Sequence, residues 1–471
     1  MPRRVTIETV GCQMNVLDSE LALADLLQAG YEPVDDSQHA DVILFNTCSV
    51  RQHAEDKIYS ALGRLKHIKR QRPGTIIGVL GCMAQRERQT ILHRAPHVDL
   101  VVGPGQLARL PELIRRVEAG EGPIVELSLD RRADAHGTVR ASFLQHDPPR
   151  MAAVRPIRQQ AMVRIMFGCD KFCTYCIVPA VRGPEQSRPA EKIVAEVRRL
   201  AEDGCLEVTL LGQTVNSYRD TSGERPVALA DLLAELNEIE GLRRLKFVTS
   251  HPRHITTDLI CAVRDLPKVS PYLHVPAQSG SDRILKRMRR GYTAGRYREM
   301  LSEIRVAIPE AAVTSDFIVG FPGETEEDYR QTVELLSESR FKNSFIFKYS
   351  PRPKTKAVEL YEDDVPDKIK RQRNNELLAI QNAISLEDAQ AWVGRQAEIL
   401  VEGPSKAARK KRGDDETIQL VGRTVCDRIV VFDGRQELTG TILPVTIEKV
   451  DAFTLFGRAD PSRASRQAES R

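Results

Sequence analysis

Cys169, Cys173 and Cys176 fall in the run Met166-Phe-Gly-Cys-Asp-Lys-Phe-Cys-Thr-Tyr-Cys-Ile-Val-Pro179. A Cys-x3-Cys-x2-Cys spacing can put three thiolates on three corners of one iron–sulfur cube and leave the fourth iron without a protein ligand. An open iron can bind a small molecule. Zinc is the competing reading, but zinc sites want four ligands, usually as two close pairs, and no fourth Cys or His stands nearby in the chain.

Three further cysteines occupy equivalent places in the N-terminal hundred residues. Arg4–Val10, Ala40–Asn46, Thr75–Gly81 and Val98–Val102 read as short buried strands, with helices between them at Leu17–Ala29, Gln52–Lys69 and Ala84–His93. This alternation predicts a parallel α/β sheet. The first three strands are each followed at once by a cysteine: Cys12, Cys48 and Cys82. Ligands of open α/β sheets bind outside the carboxyl ends of the strands, so the three thiols are expected to converge there on a second cluster with an open iron. Any one of them alone would read as an inert buried thiol, a common fate of free Cys. Cys205, Cys261 and Cys426 carry only that packing expectation.

The elements that position these groups make a multidomain α/β protein. A chain of 471 residues exceeds one ordinary core, and a net charge of +4 is only mildly basic, permitting nucleic-acid binding without requiring it. Nine cysteines, an odd number and mostly unpaired in spacing, suit metal ligation in a reducing compartment. The N-terminus enters a strand pattern directly, and no run of about 18 apolar residues occurs. A cytoplasmic location without membrane contact is expected.

Residues 121–154 are Arg-, Asp- and Pro-rich and read as a linker. Beyond it Met162–Phe167, Glu207–Leu211, Leu245–Val248, Tyr272–Val275, Val313–Val319 and Ser344–Tyr349 alternate with helical crossovers, predicting a partial (β/α)6 barrel. Its working face is the C-terminal rim, where the Cys169 loop falls. The same rule nominates Gly212-Gln213, His251-Pro252, Pro276-Ala-Gln-Ser-Gly280 and Gly320-Phe-Pro-Gly-Glu324. Gln396–Val401, Thr417–Val421, Asp427–Phe432 and Ile442–Lys449 read as strands of a small C-terminal OB-like β-barrel, with a hairpin turn at Val431–Gly434. Lys406, Arg409, Lys410, Lys411 and Arg412 in one loop, and Lys286, Arg287, Arg289 and Arg290 near the barrel rim, are candidate RNA contacts.

The Cys169–Cys176 run resembles the signature of radical S-adenosylmethionine (SAM) enzymes. Val10-Gly-Cys-Gln-Met-Asn15, Asn46-Thr-Cys-Ser-Val50 and Gly81-Cys-Met-Ala-Gln-Arg86 resemble the N-terminal domain of the methylthiotransferases, and the resemblance is nearly full-length. It implies two [4Fe–4S] clusters, an auxiliary one on Cys12, Cys48 and Cys82 and the SAM-binding one on Cys169, Cys173 and Cys176. It also implies SAM contacts at Tyr175, Gly212, Gln213, Gln278, Ser279, Val319 and Gly320. Residues 394–457 resemble a TRAM RNA-binding module. The implied organisation is an auxiliary-cluster domain over 1–120, the linker over 121–154, a radical SAM core over 155–386, TRAM over 389–457 and a disordered tail over 458–471.

Leu210-Leu-Gly-Gln213, Thr249-Ser-His-Pro252, Ser315-Asp-Phe-Ile-Val-Gly-Phe-Pro-Gly-Glu-Thr325 and Tyr349-Ser-Pro-Arg-Pro353 are similar to the subgroup that methylthiolates C2 of N6-isopentenyladenosine at tRNA position 37. That subgroup uses two SAM molecules, one as methyl donor and one as radical source, with a cluster-bound sulfur. Implied partners are tRNA, an electron donor such as a flavodoxin or ferredoxin, and sulfur or cluster supply proteins; a monomer is expected. Sister groups modify threonylcarbamoyladenosine in tRNA or an aspartate of a ribosomal protein. A non-catalytic RNA-binding iron–sulfur protein is a further alternative, disfavoured by the intact Cys169, Cys173 and Cys176. Thr214, Ala180-Val181 and Lys354 depart from the usual pattern and are expected to stand away from the cluster ligands.

Overall fold

The computed structural model describes residues 2–49, 52–127, 148, 154–410, 417–460 and 462. Six parallel strands form the N-terminal sheet, in the order Glu32–Pro33, Arg4–Val10, Val42–Thr47, Ile76–Gly81, Leu100–Val102, Ile124–Glu126. The central strands are apolar at nearly every position because helices cover both faces. Val42 and Leu44 pack with Ala22, Leu26 and Leu110 on one side, and Ile43 and Phe45 with Ile58, Leu62 and Met83 on the other. The outermost strand, Ile124–Glu126, comes from the segment expected to be linker. The helix expected over Ala84–His93 is two pieces, Cys82–Glu87 and Thr90–Arg94, because Arg88 turns left-handed at φ 55° between them.

In the central domain Gln160–Arg164, Glu207–Leu211 and Arg244–Phe247 form one parallel sheet, and Tyr272–His274, Ala312–Val319 and Asn343–Lys348 another. A parallel bridge from Leu245 to Val269 joins them into an open half-barrel. Helix side chains such as Ile193, Leu233, Tyr297 and Leu377 cover its outer face. Met166–Phe167, expected to continue the first strand, leaves it and pairs antiparallel with Gln186–Ser187, which aims the following cysteine loop across the rim.

Five strands close the C-terminal barrel: Gln396–Pro404, Ile418–Thr424, Ile429–Gly434, Ile442–Val450 and Thr454–Ala459. Thr454–Ala459 is unanticipated, and it runs two residues into the segment 458–471 expected to be tail. The turn expected at Val431–Gly434 lies inside a strand, because the ladder with Ile418–Arg423 continues through Asp433 and Gly434. A buried polar seam docks this barrel on the N-terminal ends of the half-barrel strands. Lys246 bridges Glu207 at 2.9 Å and Asp427 at 3.1 Å, Arg244 donates to the Arg423 carbonyl, and Lys342 donates to the Asp427 carbonyl. The C-terminal barrel and the Cys169 loop therefore occupy opposite ends of the half-barrel. Among the described residues no helix is long and apolar enough to cross a membrane.

Candidate functional site

Cys12, Cys48 and Cys82 stand at the carboxyl ends of adjacent strands, each placed by its own local structure. Cys12 precedes helix Gln13–Gln28, and its backbone N–H and thiol both donate to Asn15 Oδ1. Asn15 and Asn46 are fully buried and exchange hydrogen bonds: Asn15 Nδ2 donates to Asn46 Oδ1 at 3.1 Å, and Asn46 Nδ2 to the Asn15 carbonyl at 2.9 Å. This pair ties the start of the helix to the strand end that carries Cys48. Gly81 sits at φ +89°, and a Cβ there would overlap Asn46 Oδ1 and the Thr47 carbonyl, so only glycine lets Cys82 approach. A hydrogen bond with the Cys48 thiol, aided by Arg182, lowers the exposed Cys12 thiol to about 6. Burial raises Cys82, with Arg182 opposing it.

The second group lies across the domain boundary. Cys169 is buried, while Cys173 and Cys176 are half-buried. Burial and the neighbouring Cys173 push the Cys176 thiol up to about 12. None of the nine cysteines is in a disulfide. Among the described residues no three His, Cys, Asp or Glu side chains are grouped to hold a metal ion. A structural zinc wants four ligands, whereas three thiolates can hold three corners of an iron–sulfur cube and leave the fourth iron open. The donor chemistry of both groups suits a thiolate-ligated cluster better than a lone ion.

Charged groups that the motifs did not single out join the two sites. Arg182 ends the short helix Val178–Arg182, which begins two residues after Cys176, and pairs with Asp18 of the N-terminal helix at 2.6 Å; both are buried. Arg182 Nη1 and Asp18 Oδ1 are buried without hydrogen-bond partners among the described residues. A buried cation with a spare N–H, electrostatically coupled to Cys82 and Cys12, fits an anionic cluster at that place. Ile177 and Val181 pack directly on Cys82. Glu55 bridges Arg86 at 2.6 Å and Arg352 of the half-barrel at 3.5 Å.

Two of the departures from the family pattern, Thr214 and Val181, touch the cysteines, closer than expected, while Lys354 contacts only the helix that follows Cys82. Thr214 Oγ1 is 3.6 Å from Cys169 Sγ, Val181 contacts Cys82, and Lys354, at φ 68°, donates to the Arg86 carbonyl at 2.9 Å. Sequence separation hid this, because Thr214 meets Cys169, and Val181 meets Cys82, only in the folded chain.

The expected SAM residues ring the same rim. Tyr175 packs with Ile318 and Tyr361 against Met288 and Phe321, and its hydroxyl accepts from Arg290. Gly212 is buried under Met166, whose side chain a Cβ would overlap. Gln213 Oε1 is buried with no hydrogen-bond partner among the described residues, a polar atom suited to a ligand. Gln278 adopts φ 71°, an unusual value for a non-glycine residue at a strand end. Ser279 points its hydroxyl inward to Thr332 at 3.3 Å, and Val319 is part of the core. The Gly320 N–H donates to Glu324, whose carboxyl burial pushes up to about 7 despite the Arg373 ion pair at 2.7 Å.

The candidate RNA residues divide. Lys286 and Arg289 are exposed, and Arg287 stacks 4.0 Å over Tyr361. Arg290, expected at the surface, is buried: it donates to Cys173 Sγ at 3.2 Å, to Tyr175 and to the Pro276 carbonyl. Its neighbours in the basic run face solvent, while the left-handed turn at Arg289 (φ 56°) swings Arg290 inward. In the C-terminal loop Lys406, Arg409 and Lys410 are exposed, and Lys411 and Arg412 lie outside the described residues.

His251, nominated only by its strand end, is buried beside Tyr292 and His254, and burial lowers its imidazole to about 2. The folded protein holds it neutral, so the unfolded chain binds one more proton below the ordinary imidazole value of 6.5. Stability should therefore fall as pH drops below about 6.5, by up to about 1.4 kcal/mol per pH unit from this group. His251→Gln should flatten that acid slope by about one proton, read from urea unfolding between about pH 5 and 7.

A parallel sheet joined to an open half-barrel with a Cys-x3-Cys-x2-Cys loop at its C-terminal rim defines a radical SAM enzyme. Residues 163–336 match the Radical SAM superfamily, and residues 4–103 match Uncharacterized protein family UPF0004. In fold, the chain is similar to the radical SAM methyltransferase TsrM from Kitasatospora setae, with a TM-score of 0.52 over 76% of this chain and 77% of that one, at 14% identity. The tRNA-2-methylthio-N(6)-dimethylallyladenosine synthase of Rhodopirellula baltica is 55% identical over 97% of this chain and 96% of its own length. Those of Acidovorax sp. and Moorella thermoacetica are 45% and 44% identical, each covered over 97% of its length by 97% and 96% of this chain. The chain belongs to the tRNA-2-methylthio-N(6)-dimethylallyladenosine synthase family. Membership makes it a radical SAM enzyme that uses SAM and a [4Fe–4S] cluster.

Proposed function

We propose that this enzyme methylthiolates C2 of N6-dimethylallyladenosine at position 37 of tRNA. Cys169, Cys173 and Cys176 hold the SAM-binding [4Fe–4S] cluster, and Cys12, Cys48 and Cys82 a second, auxiliary one. The contact of Cys82 with Ile177 and Val181, just after Cys176 in the chain, carries this reading together with the relatives' names. When bound, the cofactors supply a reducing electron, a 5′-deoxyadenosyl radical, a methyl group and a sulfur atom. A C–H bond without an acidic hydrogen is beyond a side-chain base at neutral pH, so the protein's tasks are positioning and exclusion. Tyr175, Gly212, Gln213, Gln278 and the Val319-Gly320 strand end line the SAM side, Ser279 supports the loop from within, and Arg290 holds Tyr175 and the Cys173 sulfur together. Asp18 and Arg182 keep the two halves in register. The enzyme acts as a cytoplasmic monomer and takes electrons from a flavodoxin or ferredoxin and sulfur from supply proteins.

The test is anaerobic reconstitution with SAM, reductant and tRNA bearing dimethylallyladenosine, followed by mass spectrometry of digested nucleosides. A methylthio nucleoside supports the proposal. SAM cleavage without it from a protein holding both clusters removes the assigned substrate. Lys406, Arg409 and Lys410 are read as phosphate contacts of a TRAM module, with Lys286 and Arg289 at the other end of the half-barrel. Converting the first three to alanine should weaken tRNA binding regardless of the base at position 37. It should also flatten the slope of log affinity against log salt by about two to three.

A further inference from the structure

The last strand of the half-barrel breaks the rule that large aromatic side chains are buried. In Asn343–Lys348, Ser344 and Ile346 are buried, whereas Phe345 and Phe347 are 48% and 39% exposed. Period two puts the phenylalanines on the face opposite Ile346, which packs with the outer helices, so they line the concave side. Register sets Phe345 beside Asp316 and Phe347 beside Ile318, with Thr314 next to His274 on the neighbouring strand Tyr272–His274. On this face His274 meets the Phe345 ring edge-on at 6.4 Å, pairs with Asp316 at 3.5 Å and hydrogen-bonds Thr314 at 3.0 Å. The strip reaches the reaction rim, because Ile318 packs in one cluster with Tyr175. Asn343–Lys348 is also the edge of its sheet, so the half-barrel is open beside the two rings.

We infer that this strip, Phe345 and Phe347 with His274 and Asp316, is the surface that receives the target purine and its apolar N6 substituent. The inference rests on the function proposed above and deepens it. A base flipped from an RNA loop is held by stacking on aromatic faces and by polar groups at its edge, and the strip offers both. Two exposed rings on alternate residues give a branched hydrocarbon substituent a place to leave water. Asp316 sets the opposite preference for a carboxylate-bearing substituent such as threonylcarbamoyl, which it would repel while the rings desolvate it. The strip thus selects hydrocarbon over acid at N6.

The test uses the full-length reconstituted enzyme and three anticodon stem-loops that differ only at position 37: adenosine, dimethylallyladenosine and threonylcarbamoyladenosine. Affinity is read by fluorescence anisotropy, with methylthio product measured separately by mass spectrometry. The unaltered enzyme should prefer the dimethylallyl RNA over the unmodified one, and Phe345→Ala with Phe347→Ala should cut that ratio by about ten- to a hundredfold. Asp316→Asn should raise affinity for the threonylcarbamoyl RNA, an outcome that damage to the fold cannot mimic. If the ratio survives loss of both rings, or if Asp316→Asn leaves the acidic RNA no better bound, the inference is overturned even where the unaltered enzyme makes methylthio product. Absence of product from the unaltered enzyme overturns the proposed function instead.

Discussion

Cys173→Ala should abolish reductive SAM cleavage and lower the iron content of the reconstituted protein from about eight to about four atoms per chain. Cys173 is half-buried in a loop that leaves the barrel through the Met166–Phe167 ribbon, and the Cys12 site belongs to a different sheet with its own core. Loss of one thiol at the rim therefore leaves the N-terminal site able to load. The reciprocal Cys48→Ala variant should retain SAM cleavage, keep about four irons and form no methylthio product. Iron analysis, electron paramagnetic resonance and 5′-deoxyadenosine release check each arm. Retention of SAM cleavage by Cys173→Ala would remove the assignment of that loop.

Arg182→Met should destabilise the protein by about 3–5 kcal/mol, because it leaves the Asp18 carboxylate buried without its cation. Arg182 and Asp18 have side chains 3% and 1% exposed and stand 2.6 Å apart, so little solvent screens the loss. Asp18→Asn combined with Arg182→Met should recover part of the stability, since no orphaned charge then remains. Calorimetry of the loaded protein tests this. A double variant no more stable than Arg182→Met would show that the pair acts through packing, through the Phe167 ring 5.2 Å from the guanidinium, rather than through charge. The loss should also loosen the contact between the domains, because Arg182 directly follows Val181, which seats on Cys82.

Most strands were legible in the sequence because apolar runs bounded by turns carry a local signal. Arg4–Val10 and Glu207–Leu211 match residue for residue. Thr454–Ala459 was not, since its two large apolar residues, Leu455 and Phe456, are adjacent rather than alternating and the element is only six residues long. Arg290 misled because its basic neighbours do face solvent and only a left-handed turn redirects it. Thr214, distant in sequence from the Cys169 it approaches, and Lys354, distant from the Arg86 carbonyl it meets, carried no signal at all.

By itself the sequence determined the parallel α/β architecture, the radical SAM motif and the strand ends at which the cysteines stand, because motif spacing and hydrophobic period are properties of neighbouring residues. Only the tertiary structure decided that Cys82 packs on Ile177 and Val181, that Arg182 meets Asp18 across 164 residues of chain, and that Phe345 and Phe347 stay uncovered. Those facts depend on how separately folded layers dock and on which strand is left as an edge, and local spacing does not encode the docking.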